Sequence, residues 1–210
     1  MATHTRLPEQ ARLLARDFFD RDPRRVARQL LGKLLVRNTP GELLTGRIVE
    51  TEAYLGEGDA AAHAAAGKTN RNAVLFGPPG YAYVYLIYGY YHCMNVSCLP
   101  PGTAGGVLIR ALQPECGLET MARRRGIPGA SLAPNRRLTG GPGMLSQAFG
   151  ITRSRDNGKD LVSKESDLLM MDDGFRPRGV AKTPRIGIAK AVEPLWRFII
   201  AENEFVSHPR

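Results

Sequence analysis

The 210-residue chain has a mass of 23.0 kDa, 43% hydrophobic and 23% charged residues, a balance that excludes a disordered chain and suffices for a sizeable core in one domain. Twenty-nine Lys and Arg against 20 Asp and Glu give a net charge of +9 and a pI near 9.8, which points to a polyanionic partner or, more plainly, to a solvated basic surface. No apolar run approaches the ~18 residues of a membrane span, and the odd set Cys93, Cys98 and Cys116, without a C-x-x-C pair or a histidine cluster, argues against a disulfide framework or a zinc site. A cytoplasmic, nucleoid-associated monomer with no membrane contact, no metal and no other cofactor is the expectation.

In chain order, residues 7–19 place Leu13, Leu14, Phe18 and Phe19 at helical spacing between arginines, which predicts an amphipathic helix. Asp22-Pro23 supplies an N-cap followed by a proline at the first helical position, opening a second helix that Gly32 closes. These two make up an N-terminal helical part over residues 1–29 of a single domain spanning residues 1–210. Residues 33–36 read as a short strand, 38–41 as a turn and 43–54 as a second strand. On that strand Glu50 and Glu52 are two apart and share a face, with Tyr54 next along it. Two like charges so placed repel unless a function or a cation uses them; the alternative is a solvent-facing edge that discourages aggregation.

Residues 55–80 form a long Gly- and Ala-rich connection interrupted by His63, Lys68, Arg71 and Asn72. Connections of this length are usually functional or disordered, and His63 is the residue in it with acid–base potential. Residues 81–97, YAYVYLIYGYYHCMNVS, hold six of the seven tyrosines and read as two strands joined at Gly89. Tyr81, Tyr83 and Tyr85 alternate with Ala82, Val84 and Leu86, predicting an aromatic display face and an apolar core face.

Further strands are expected at 106–113, where Arg110 interrupts an apolar run and requires an anionic partner, and at 168–171, 185–188 and 197–200. A helix is expected at 116–125, ending in Arg123-Arg124-Arg125, and another at 144–149 after Gly140-Gly141-Pro142-Gly143. Backbone N–H groups of Gly140, Gly141 and Gly143 at such a helix start suit an anion, although no P-loop Lys-Ser/Thr follows. Residues 41–100 carry three basic and five acidic residues, whereas 101–190 carry fifteen and eight, so the positive field lies outside the tyrosine-rich region. A protein that grips phosphates with one set of elements and does chemistry with another has this distribution.

Aromatic rings stack a base, more strongly if it is cationic, and a carboxylate beside the sugar can activate water as an N-glycosidic bond breaks. The chain resembles the alkyladenine (3-methyladenine) DNA glycosylases of the type first described in mammals and found in bacteria. The resemblance runs through VETEAYLG at 49–56, residues 59–63, Arg71-Asn72, 83–95, 107–111 and Gly141-Pro142 to Gln147-Ala148. It implies an α+β (mixed α/β) fold, with a curved, mainly antiparallel sheet surrounded by helices and a hairpin that enters the DNA minor groove.

It further implies that Glu52 is the general base, that Tyr54, His63 and Tyr85 hold the flipped base, that Asn95 restricts which purines enter and that Tyr88 intercalates. Arg110 would hold the catalytic water or the flipped nucleotide's backbone, while Gly140, Gly141, Gly143 and Arg71 would meet phosphates. The implied partner is double-stranded DNA containing damaged purines: 3-methyladenine, 7-methylguanine, hypoxanthine or etheno-adenine. The implied activity is monofunctional hydrolysis, without cofactor. Tyr90, His92 and the connection 99–104 depart from the family pattern. Two other readings stay open: a non-catalytic single-strand binder, which gives Glu52 no role, and a carbohydrate hydrolase, which the basic balance disfavours.

Overall fold

The computed structural model describes residues 7–127 and 133–207. The strands are β1 (Arg12–Leu13), β2 (Leu34–Thr39), β3 (Glu42–Leu55), β4 (Ala82–Ile87), β5 (Tyr91–Ser97), β6 (Gly105–Cys116), β7 (Leu168–Asp172), β8 (Val180–Thr183) and β9 (Arg197–Ile200). The helices are α1 (Pro23–Leu30), α2 (Leu118–Arg124), α3 (Arg136–Thr139), α4 (Pro142–Ala148) and α5 (Arg153–Asp156). All pairings among these strands are antiparallel, in the order β1-β7-β2-β3-β6-β5-β4, with β9 pairing both β3 and β8. This is the expected α+β class with a mainly antiparallel sheet. Among the described residues no helix is long and apolar enough to cross a membrane.

Local chemistry explains α1 as the sequence predicts: the Asp22 side chain accepts the Arg24 N–H at 2.8 Å, Pro23 opens the helix, and Gly32 leaves it at a φ of +86°. The helix lies on one face of β3 and β6. There the Thr51 hydroxyl donates to the Ala27 carbonyl, and a Cβ on Gly105 would come within 2.8 Å of Pro23. Val26, Ala27 and Leu30 join Val49, Ala53, Val107, Ile109, Met94 and Val96 in the main core. Burying such side chains stabilises by about 1.5–3 kcal/mol each. Arg37 on β2 is fully buried and meets Asp156 of α5 through two hydrogen bonds, 2.9 and 3.0 Å, with Asp167 beside it at 3.2 Å. Lys159 also pairs with both aspartates.

Several expectations give way. Residues 7–19 form no α-helix: β1 pairs with β7 and is followed by a single 3-10 turn at Arg16–Phe18. The adjacent Leu13 and Leu14 part company, Leu14 to the main core and Leu13 to a small cluster with Leu34, Val36 and Leu169, which is strand behaviour that helical spacing concealed. Residues 185–188 are not a strand, because Arg185 turns inward to Asp59 and Gly187 takes a φ of +76°. The acidic pair does not lie on a solvent edge, since β3 has β2, β6 and β9 as neighbours and both carboxylates are buried. The tyrosine face is not simply displayed. Tyr83 is buried with Ala64, Leu75 and Ala104, whereas Leu86, assigned to the core side, is exposed where the hairpin outruns the sheet.

Candidate active site

Strand alternation builds one wall of the site. Cross-strand partners place Glu52 opposite Leu108, Leu108 opposite Asn95 and Asn95 opposite Tyr83, so these four share a face, joined at two-residue steps by Tyr54, Arg110, Cys93 and Tyr85. The intervening Ala53, Val107, Val96 and Val84 point into the core. Against this wall lies a cavity of about 1210 Å³, closed by the connection after β3, by Gly140–Gly143 at the start of α4 and by residues 186–190. Gly106 permits the closure, because a Cβ there would sit 2.9 Å from the Leu75 side chain.

Arg110 bridges the two glutamates, its Nε donating to Glu50 at 2.9 Å and its Nη1 to Glu52 at 3.2 Å. Burial works against its charge, yet Glu52 and Glu50 together hold its pKa above the ordinary value. Glu50 also accepts from Arg197 Nε at 2.7 Å and from the Ser207 N–H and hydroxyl at 2.7 and 2.8 Å, four hydrogen bonds in all with Arg110. Glu52 accepts three: from Arg110, from the Tyr54 hydroxyl at 2.8 Å and from the Ile186 N–H at 2.7 Å. Burial, reinforced by the Glu52 carboxylate, pushes the Tyr54 pKa far up, so the phenol keeps its proton and donates it.

The aromatic walls are held from behind. His63 Nδ1 is 2.9 Å from the Tyr83 hydroxyl, and the imidazole meets the Tyr85 ring edge-on with centroids 4.5 Å apart. Burial, then the nearby Arg71, lowers the His63 pKa, keeping the ring neutral near pH 7. Asn72 fixes the loop by donating to the carbonyls of His63 and Gly67. Asn95 is buried and lines the cavity, donating to the Tyr83 carbonyl at 3.3 Å. Arg71 lies 5.8 Å from the Tyr85 ring centre at the cavity rim.

At the hairpin end Tyr88 is 75% exposed, and Tyr88 and Gly89 both have positive φ, +54° and +78°, as a type I′ turn requires. Tyrosine is an unusual residue for that conformation. Gly140, Gly141 and Gly143 reach the cavity rim. They also have packing reasons to be glycine: a Cβ on Gly140 would press within 2.6 Å of the Arg136 carbonyl oxygen, and one on Gly143 within 3.0 Å of the Tyr91 ring. Of the arginine triplet, Arg124 is committed to Glu42, Arg123 is exposed, and Arg125 lines the cavity and bonds Gln147.

Residues 17–204 match the family model described as Methylpurine-DNA glycosylase (MPG). The chain belongs to this family. It is 58% identical to a protein of Koribacter versatilis (strain Ellin345) over 94% of each chain, and 46% identical to one of Alkaliphilus oremlandii (strain OhILAs) over 92% of this chain and 98% of that one. A Burkholderia lata protein is also 46% identical, over 94% and 92%. All three bear the name "Putative 3-methyladenine DNA glycosylase".

The methylpurine-DNA glycosylase match spans both glutamates and nearly all their partners; Ser207 lies outside it. Reasoning from sequence missed five contributors: Asp59, Arg185, the Ile186 N–H, Arg197 and Ser207. Arg185 is stacked between Tyr54 and Trp196, 4.7 and 4.9 Å from their ring centres, and grips Asp59 at 2.7 and 2.8 Å. Arg197 sits in the apolar run Arg197–Ile200, the same signal that singled out Arg110, and could have been found by it. Asp59, Ser207 and the Ile186 N–H carry no such mark.

Proposed function

We propose that the chain is a DNA glycosylase that draws an alkylated or deaminated purine out of duplex DNA into this cavity and hydrolyses its N-glycosidic bond with water activated by Glu52. The observation that carries this reading is the unequal occupancy of the two carboxylates. Glu50 is paired with two arginines, Arg110 and Arg197, and with both donors of Ser207, three of the four bonds falling on Oε1, whereas Glu52 meets one arginine and its three donors, Tyr54, Arg110 and the Ile186 N–H, all belong to residues that line the cavity. As water attacks C1′, Glu52 takes its proton and opposes the positive charge developing on the sugar, and the base departs with the electron pair of the broken bond.

Tyr54, His63 and Tyr85 stack the base, and neutral His63 adds no charge to repel a cationic, alkylated one. Asn95 limits which purine edges fit. Arg110 orients Glu52 and holds the water or the adjacent sugar-phosphate. Tyr88 enters the minor groove and fills the gap left in the duplex, while Arg71 and the rim at Gly140, Gly141 and Gly143 meet flanking phosphates. Substrates of this class include 3-methyladenine, 7-methylguanine, hypoxanthine and etheno-adenine; the protein acts as a monomer on double-stranded DNA.

The test is base release from duplexes carrying each lesion. Free base with an intact abasic strand, lost in Glu52→Gln, is the expected result. No release from any lesion, or undiminished release by Glu52→Gln, overturns the reading, and strand scission would replace water by an amine nucleophile, for which Lys190 at the cavity edge is the candidate.

A further inference from the structure

Glu50 carries four donors, three on Oε1 and one on Oε2, and half of them come from a single residue near the end of the described chain. Ser207 places both its backbone N–H and its hydroxyl on the Glu50 carboxylate, at 2.7 and 2.8 Å. Its carbonyl in turn accepts from Arg197 Nη2 at 3.0 Å, while Arg197 Nε returns to Glu50 at 2.7 Å. Ser207 is itself buried, lines the cavity, and stands three residues past the end of the family match at residue 204. Phe205 and Val206 anchor it by burying in the main core.

We infer that Ser207 is a positioning residue for the hydrolysis proposed above, acting through Glu50 and Arg110 on Glu52. Arg110 divides its guanidinium between two carboxylates, with the longer contact on Glu52. The two donors from Ser207 and the one from Arg197 satisfy Glu50, so it competes less strongly for Arg110. Removing the hydroxyl leaves Glu50 short of a donor, and a buried carboxylate short of a donor attracts the nearest cation more strongly. Arg110 then shifts toward Glu50 and its hold on Glu52 weakens. With less positive charge beside Glu52, the acidic limb of the rate profile moves to higher pH. The other titratable groups around the pair are Arg197 on β9, Tyr54 on β3, Tyr85 on β4, Cys93 on β5 and Arg185 after β8, and Ser207→Ala alters none of them.

The inference rests on the proposed reaction, and its test separates the two. Single-turnover base release and lesion-duplex binding are measured across pH for the unmodified chain, Ser207→Ala, Ser207→Thr and Glu52→Gln, with thermal melting to confirm folding. Ser207→Ala is expected to release base about three- to tenfold more slowly, with its acidic limb moved to higher pH and lesion binding unchanged, and Ser207→Thr, which keeps both donors, to restore rate and limb. Unchanged rate and limb in folded Ser207→Ala would overturn the positioning role, as would a loss confined to binding or one that Ser207→Thr does not rescue. Wild-type release by Glu52→Gln would overturn the reaction itself, whatever Ser207 does.

Discussion

The cavity floor and the hairpin end are built by opposite rules. At the floor Arg110 lines the cavity with Glu50 and Glu52 buried behind it, and each of the three is held by several partners from separate elements: β3, β6, β9, the segment after β8 and Ser207. At the hairpin end, Tyr88 and Tyr90 are 75% and 69% exposed and rest on little but their own turn. On the proposed reading, groups that must keep one geometry through a reaction are over-determined, whereas groups that must meet a deformable duplex are left loosely held.

Substitutions at the two ends should therefore fail differently. Glu52→Gln should cut single-turnover base release by about 10²-fold or more while leaving lesion binding nearly intact, as expected for losing a general base. Glu50→Gln should show its main effect in melting, because it breaks a buried ion pair worth about 3–5 kcal/mol when one partner is removed, and release per folded molecule should fall less. Equal loss of catalysis in the two variants would erase the distinction drawn from their hydrogen bonds.

At the other end, Tyr88→Ala should weaken lesion binding and release from paired duplex about tenfold, in line with stacking worth about 1–3 kcal/mol per base, and should spare a weakly paired lesion. Its melting temperature should not fall, since the replaced side chain is exposed and sits at positive φ. A destabilised Tyr88→Ala would mean that the hairpin end is structural after all.

Salt sharpens the same contrast. Log-linear weakening of binding is expected, with a slope that becomes shallower by about one on Arg125→Ala or Arg71→Ala. Arg124→Ala should leave the slope alone and lower stability, because its guanidinium is on Glu42 and the Ala148 carbonyl.

The smallest expected effect is in acid. Although partial burial opposes it, Lys159 and Arg155 hold the Asp167 pKa down to about 2, and Arg176 and Lys33 do the same for Asp172, against an ordinary 3.8. A depressed folded pKa adds stability above 3.8 that is lost as pH falls toward 2, so melting temperature should drop across that window. Lys159→Met should shrink the Asp167 part of the drop.

How much of this was legible in the sequence depended on range. The α1 cap, the strand over residues 43–54 with Glu50 and Glu52 on one face, and the hairpin joined at Gly89 are local patterns, and the structure has all three, although register shifts near Ile48 and Glu50 interrupt the strand's alternation. The partners of Glu50 are not local: Arg197 and Ser207 reach it from 147 and 157 residues away, and no spacing rule connects them. Residues 7–19 misled because Leu13 and Leu14, neighbours in a helical pattern, serve opposite sides of a sheet whose other strand, β7, comes 155 or more residues later. Tyr83 misled because alternation gives a face but not what covers it, and here Ala64 and Leu75 from the long connection do.

The three cysteines carry a consequence for the chemical setting in which such a protein would work. Thiolate, not thiol, attacks electrophiles. Burial pushes the Cys93 pKa up to about 11, and those of Cys98 and Cys116 upward as well, with all three side chains free and withdrawn from solvent. Reagents that methylate purines are electrophiles of the kind that thiolates consume. The folded chain offers them almost no thiolate, so its sulfurs should survive doses that damage the DNA around it, and thiol labelling should accelerate sharply once it unfolds.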